Sequence, residues 1–168
     1  MMVEIDEQTR ALVGEAPDLV VVPIGVGSLG QATVAHFKSR TPSTRVLTVE
    51  PDTAACLKTS LERGSMTTVE TANTAMCGMN CGTVSTIAWP VLRDGVDASI
   101  TVTDEEAKAA MDVLVEMQIM VGPCAAATLA ALVKACRIGK ESGFQISSDS
   151  LVVLLGTEGP RGPASDMS

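Results

Sequence analysis

The sequence predicts an α/β fold of three layers, an open and mostly parallel sheet with helices on both faces. The runs DLVVVPI, TRVLTVE and SLVVLLG are apolar almost throughout, the pattern of parallel strands buried on two faces rather than one. Longer stretches between them repeat apolar residues at helical spacing. The composition is 46% apolar but only 2% aromatic, which suits small-residue helices packed closely on a parallel sheet. At 168 residues the chain is large enough for one compact domain with its own core, without disulfide or metal staples.

Each element has a local reason. EIDEQTRALVGEAPD reads as an amphipathic helix stopped near Gly14 and Pro17, followed at once by the strand DLVVVPI. After a glycine-rich turn, SLGQATVAHFKSR places Leu29, Val34 and Phe37 at helical spacing, and TRVLTVE is the second strand. Asp52 is the expected N-cap of a helix TAACLKTSLERG that stops at Gly64. MTTVETANTAMCGMNCGTVS has no lasting period and reads as an ordered, functional loop. A helix TIAWPVLRDG, interrupted by Pro90, leads to the short strand DASITV.

Thr103 and Glu106 form a capping box, and Ala107, Ala110, Met111, Leu114 and Met117 continue a buried stripe. Gly122 and Pro123 separate that helix from CAAATLAALVKAC, whose small residues allow close packing on several sides. SLVVLLG is expected as a central parallel strand, TEGPRGP as a polar turn, and PASDMS as a frayed tail.

The formal charge of -8 offers no basic stripe for nucleic acid. The acidic start MMVEIDEQTR and the absence of a long apolar run speak against an export signal or membrane span, so a cytoplasmic location is expected. The odd count of five cysteines fits reduced, buried thiols. Cys77 and Cys81 in CGMNC lack a second close pair, and no metal site is expected. The single His36 lies on a helix face and is read as packed or solvent-facing.

PIGVGSLGQA spells G-x-G-x-x-G across Gly25, Gly27 and Gly30 between a strand and a helix, where backbone N–H groups and the helix dipole favour an anion. Glu50 ends the next strand about twenty residues on, which on spacing alone fits a dinucleotide with its ribose on that acid. A tight turn that binds nothing is the plain alternative.

Four segments read together decide among these: VVPIGVGSLGQA, RVLTVEPDTAACLKTSLERG, TAMCGMNCGTVSTIAWPVLRDGVDA and LLGTEG. They resemble pyridoxal-phosphate-dependent enzymes of the tryptophan synthase β-subunit-like fold. M-x-G-x-x-C-G followed by W-P-x-L resembles diaminopropionate ammonia-lyases more than threonine dehydratases or cysteine synthases. The resemblance runs from about Val3 to Arg161. It implies pyridoxal phosphate as cofactor, with its phosphate on Gly25, Val26, Gly27, Ser28 and Leu29. It gives Glu50 a structural role at a strand end. In LLGTEG, where a hydroxyl meets the pyridine nitrogen, it leaves Thr157 as the contact, because Gly156 stands where relatives often carry serine.

The implied reaction is α,β-elimination of a small amino acid, 2,3-diaminopropionate to pyruvate and ammonia. The resemblance puts the family's Schiff-base lysine ahead of all four segments, and none of Lys38, Lys58, Lys108, Lys134 or Lys140 lies in such a motif. The expectation is therefore a single incomplete domain over 1–168, the C-terminal part of a lyase with no catalytic residue of its own and inactive alone. Self-association, or association with a full-length homologue as a non-catalytic subunit, is the expected partnership.

Overall fold

In the computed structural model, which describes residues 1–39, 44–139 and 146–160, strands β1 (Leu19–Pro23), β2 (Arg45–Pro51), β3 (Ala98–Val102) and β4 (Val152–Leu154) form one parallel sheet in the order β3-β2-β1-β4. Leu19 pairs with both Arg45 and Val152, so β1 is flanked on either side. Every residue of β1 is buried, as its unbroken apolar run requires.

Alternate residues of the strands feed two cores. Leu19, Val21, Leu47 and Val49 face α5 (Asp104–Glu116) and α6 (Pro123–Ile138). Val20, Val22 and Val46 face α2 (Ser28–Phe37), α3 (Cys56–Arg63) and α4 (Trp89–Gly95), joined at the edge by α1 (Met2–Val13). The α/β/α layering and the parallel sheet are those the sequence predicts. Each fully buried Val, Leu or Phe contributes roughly 1.5–3 kcal/mol relative to exposure, and Leu19, Val20, Val21, Val22, Phe37 and Leu47 are all at 0%.

Several boundaries follow their expected signals. Gly14 closes α1 in the left-handed region at φ 77, its N–H bonded to the Arg10 carbonyl. Gly64 closes α3 in the same way. The Thr103–Glu106 capping box is present at α5, with both reciprocal bonds. No helix among the described residues is long and apolar enough to cross a membrane.

Other expectations are corrected. Asp52 begins a single 3-10 turn, Asp52–Ala54, instead of capping α3, which starts at Cys56. Pro90 does not interrupt a helix: α4 begins at Trp89, so the proline sits in the first turn, where its missing N–H costs nothing. SLVVLLG contributes a three-residue, half-buried strand at the edge of the described sheet instead of a central one. Met117 caps α5 at 63% exposure, outside the buried stripe of Ala107 and Ala110. Of the thiols, Cys56 and Cys124 are buried, but Cys77 and Cys136 are exposed. Lys140 and the tail PASDMS lie outside the described residues.

Candidate functional site

The strand order fixes where a ligand can sit. From β1 the chain proceeds to β2 and β3 on one side and later returns to β4 on the other, and in open parallel sheets a crevice forms beyond the strand C-termini at such a switch point. A cavity of about 320 Å³ lies there. Gly25 to Leu29, the loop leaving β1, form one flank, and Thr157 and Glu158, from the turn after β4, form another; Gly78, Met79 and Cys124 complete it. The cavity thus brings together Gly25, Val26, Gly27, Ser28, Leu29 and Thr157, the residues the resemblance implies as cofactor contacts, while Gly30 and Glu50 do not line it.

The glycine flank is rich in N–H donors without acceptors among the described residues. Gly27 is the N-cap of α2 and has no side chain to satisfy the helix start. Among the described residues the first amide of this stretch with a backbone acceptor is that of Gln31, bonded to the Gly27 carbonyl at 2.8 Å. The N–H groups from Gly25 to Gly30 donate to no group among the described residues. Together with the positive end of the α2 dipole, they form a cradle that suits a phosphate.

Two surrounding segments hold the cradle in shape. Gly27 takes φ 99, and a Cβ there would come within 2.8 Å of Leu92 Cδ1 on α4. Ser85 N–H bonds the Val26 carbonyl at 2.8 Å, tying the loop to the turn that opens α4. A Cβ at Gly25 would meet the Gly78 carbonyl at 2.9 Å and Cys81 Sγ at 3.3 Å. The CGMNC and W-P-x-L segments therefore support the glycine loop physically, which explains why the sequence carries these motifs together.

The other helices that follow strands have their N-termini filled. Glu50, at 0% exposure, accepts from Leu57 N–H at 2.7 Å and Lys58 N–H at 2.8 Å, so its carboxyl caps α3. Its use there withdraws this carboxyl from a ribose, and the dinucleotide reading loses its second element. Burial pushes the Glu50 carboxyl up to about 7, against the lowering effect of the two N–H groups and the Cys56 thiol. Burial and the neighbouring Glu50 push Cys56 up to about 12 and raise Cys81 also, so both stay neutral thiols. Cys56 Sγ lies 3.9 Å from the Gly25 carbonyl.

On the second flank Thr157 is exposed. Glu158, which the sequence reading passed over, bonds Cys124 N–H through Oε2 at 2.6 Å, and its carbonyl accepts from Gly122 N–H at 3.2 Å. The signal for it was indirect. α6 starts at Gly122-Pro123, with no side chain able to cap it, so the cap comes from elsewhere in the chain.

None of the described lysines lines the cavity. Lys38 pairs with Asp97, Lys58 with Glu62, Lys108 with Asp112, and Lys134 with Glu106 and the Thr101 carbonyl. His36 Nε2 meets Asp6 Oδ2 at 2.8 Å and its ring packs edge-on to Phe37, which fixes α1 against α2 away from the cleft. Among the described residues no group of three or more His, Cys, Asp or Glu side chains is arranged to hold a metal ion.

Known proteins share this architecture. A threonine deaminase from T.th. superposes with a TM-score of 0.80 at 29% identity, over 96% of this chain and 57% of that one. A diaminopropionate ammonia lyase from Escherichia coli, in complex with D-serine, gives a TM-score of 0.80 at 25% identity, over 94% and 42% of the two chains. A serine racemase from Dictyostelium discoideum is 34% identical over 134 residues, 78% of this chain and 40% of the relative. The chain thus spans less than half the length of that racemase. These likenesses bear out the tryptophan synthase β-like fold. Residues 1–156 match the family described as pyridoxal-phosphate dependent enzyme, and the chain belongs to that family.

Proposed function

We propose that this chain forms the phosphate-holding part of the active site of a pyridoxal-phosphate-dependent enzyme that acts on a small amino acid. The observation that carries the reading is the run of N–H groups from Gly25 to Gly30 at the start of α2, without acceptors among the described residues and opening on the switch-point cavity. Gly25, Val26, Gly27, Ser28 and Leu29 would hold the phosphate through their amides, and the Thr157 hydroxyl would face the ring nitrogen. When bound, pyridoxal phosphate supplies an electron sink for breaking bonds at the substrate α-carbon. The chain's own contribution is to bind and orient the cofactor and to wall the pocket with Gly78, Met79 and Cys124. The Schiff-base lysine is not among the described cavity residues, so turnover requires one from elsewhere.

Within this reading we assign the reaction as α,β-elimination from 2,3-diaminopropionate. The M-x-G-x-x-C-G and W-P-x-L motifs support it, and both pack against the glycine loop. A second reading, action on serine, is favoured by the 34% identity to a serine racemase.

Calorimetric titration with pyridoxal phosphate and with NAD tests the first claim. Saturable binding of pyridoxal phosphate, weakened by Gly27→Val, is expected; NAD binding without pyridoxal phosphate binding contradicts it. Pyruvate and ammonia assays separate the substrates in a mixture with a lysine-bearing relative that is itself inactivated at the glycine loop. The assignment expects pyruvate from diaminopropionate with twice the ammonia that serine releases per pyruvate, and pyruvate from serine alone would overturn it.

A further inference from the structure

Two helix N-termini reach the same cavity. α2 arrives through Gly27 and Ser28 and α6 through Cys124, and a helix start carries about half a positive charge whatever follows it. On dipole alone both would draw an anion. They differ in what already sits on them: among the described residues α2 has no side-chain cap, whereas the Glu158 carboxylate lies on α6, 2.6 Å from Cys124 N. Pro123 brings no N–H to the α6 start, and the Gly122 N–H is taken by the Glu158 carbonyl.

The fit is close. A Cβ on Gly122 would lie 2.5 Å from Glu158 Cδ and 2.6 Å from Oε2, so only glycine admits the carboxylate at this depth. Among the described residues, Glu158 is also the one acidic side chain lining the cavity.

We propose that Glu158 determines the ligand class of the cleft: by filling the α6 N-terminus with a carboxylate of the chain itself, it confines anion binding to α2. The cleft then accepts a ligand with a single phosphate and a neutral or cationic far end, and rejects pyrophosphates and dinucleotides, whose second anionic group would meet Glu158. The inference rests on the phosphate reading of α2 proposed above and adds the basis for choosing among phosphates.

The test compares inorganic phosphate with pyrophosphate as calorimetric probes of the full chain. Two variants remove the block in different ways. Glu158→Gln keeps an oxygen to accept from Cys124 N–H, and so keeps the cap, but deletes the charge. Gly122→Ala leaves the charge and displaces it from the helix start. The native chain is expected to prefer phosphate, and both variants should shift the ratio toward pyrophosphate by about tenfold, the size of a single charge-assisted contact. An unchanged ratio in Glu158→Gln overturns the proposal, whatever Gly122→Ala does. If neither the native chain nor either variant binds phosphate or pyrophosphate, the phosphate reading of α2 fails and the proposal falls with it, an outcome distinct from an unchanged ratio, which overturns the role of Glu158 alone.

Discussion

The starts of α2 and α6 border one cavity and are built in opposite ways. At α2, Gly27 sits at φ 99, lacks a side chain, and leaves the amides from Gly25 to Gly30 without acceptors among the described residues. At α6, Gly122 also lacks a side chain, yet the Glu158 carboxylate has moved in from a turn distant in sequence. An uncapped helix start costs about 1 kcal/mol, and in this chain α3 and α5, like α6, avoid that cost with Glu50 and with the Thr103–Glu106 box. Of the two helix starts that border the cavity, the open one is where the proposed phosphate is placed. The difference shows that a helix dipole is not a site until the local caps have been counted.

The comparison breaks most severely at Gly27. Gly27→Val forces a β-branched residue to positive φ and drives a Cβ toward Leu92 Cδ1, 2.8 Å away on a side chain at 0% exposure. Strain and overpacking together should destabilise the chain by about 3 kcal/mol or more, read from urea unfolding, and remove phosphate binding as well.

Next in size is a pH effect from the buried cap on α3. Burial holds Glu50 at about 7 in the folded chain against 4.5 unfolded, so the folded state binds the extra proton between those values. Stability should fall as pH rises through that window, by about 3 kcal/mol from this group, and level off above it. Glu50→Gln should remove that component of the slope, and denaturant melts across the window would show it. A slope that survives unchanged would mean the carboxyl is not buried as described.

The smallest effect is a control. Thr103→Ala opens the α5 capping box, whose residues do not line the cavity, and should cost about 1 kcal/mol in thermal or urea unfolding without changing phosphate affinity. Loss of phosphate binding in this variant would show that stability alone, and not the α2 amides, governs the ligand.

Much of the site was legible because it is local. Gly25, Gly27 and Gly30 announce a strand-to-helix turn by spacing, and CGMNC with W-P-x-L names the segments that buttress it. What escaped depends on distance along the chain. Glu158 meets Cys124 across 34 positions, and nothing near Gly122 says which residue will cap it. Glu50 shows a different limit: its spacing alone fitted a ribose, the resemblance gave it a structural role at a strand end, and its bonds from Leu57 and Lys58 N–H show that the role is to cap α3. Strand rank was hidden for a similar reason. SLVVLLG is apolar enough for a central strand, but its neighbours, not its composition, place Val152–Leu154 at the edge of the described sheet.

The central claim is that the phosphate of pyridoxal phosphate lies on the amides that open α2. Backbone amide chemical shifts followed during titration with pyridoxal phosphate test it directly. The account predicts large, saturable shifts at Val26, Gly27, Ser28 and Leu29 and little change at the Cys124 amide, which Glu158 already occupies. Shifts centred on Cys124, or none at the α2 amides at saturation, would contradict it.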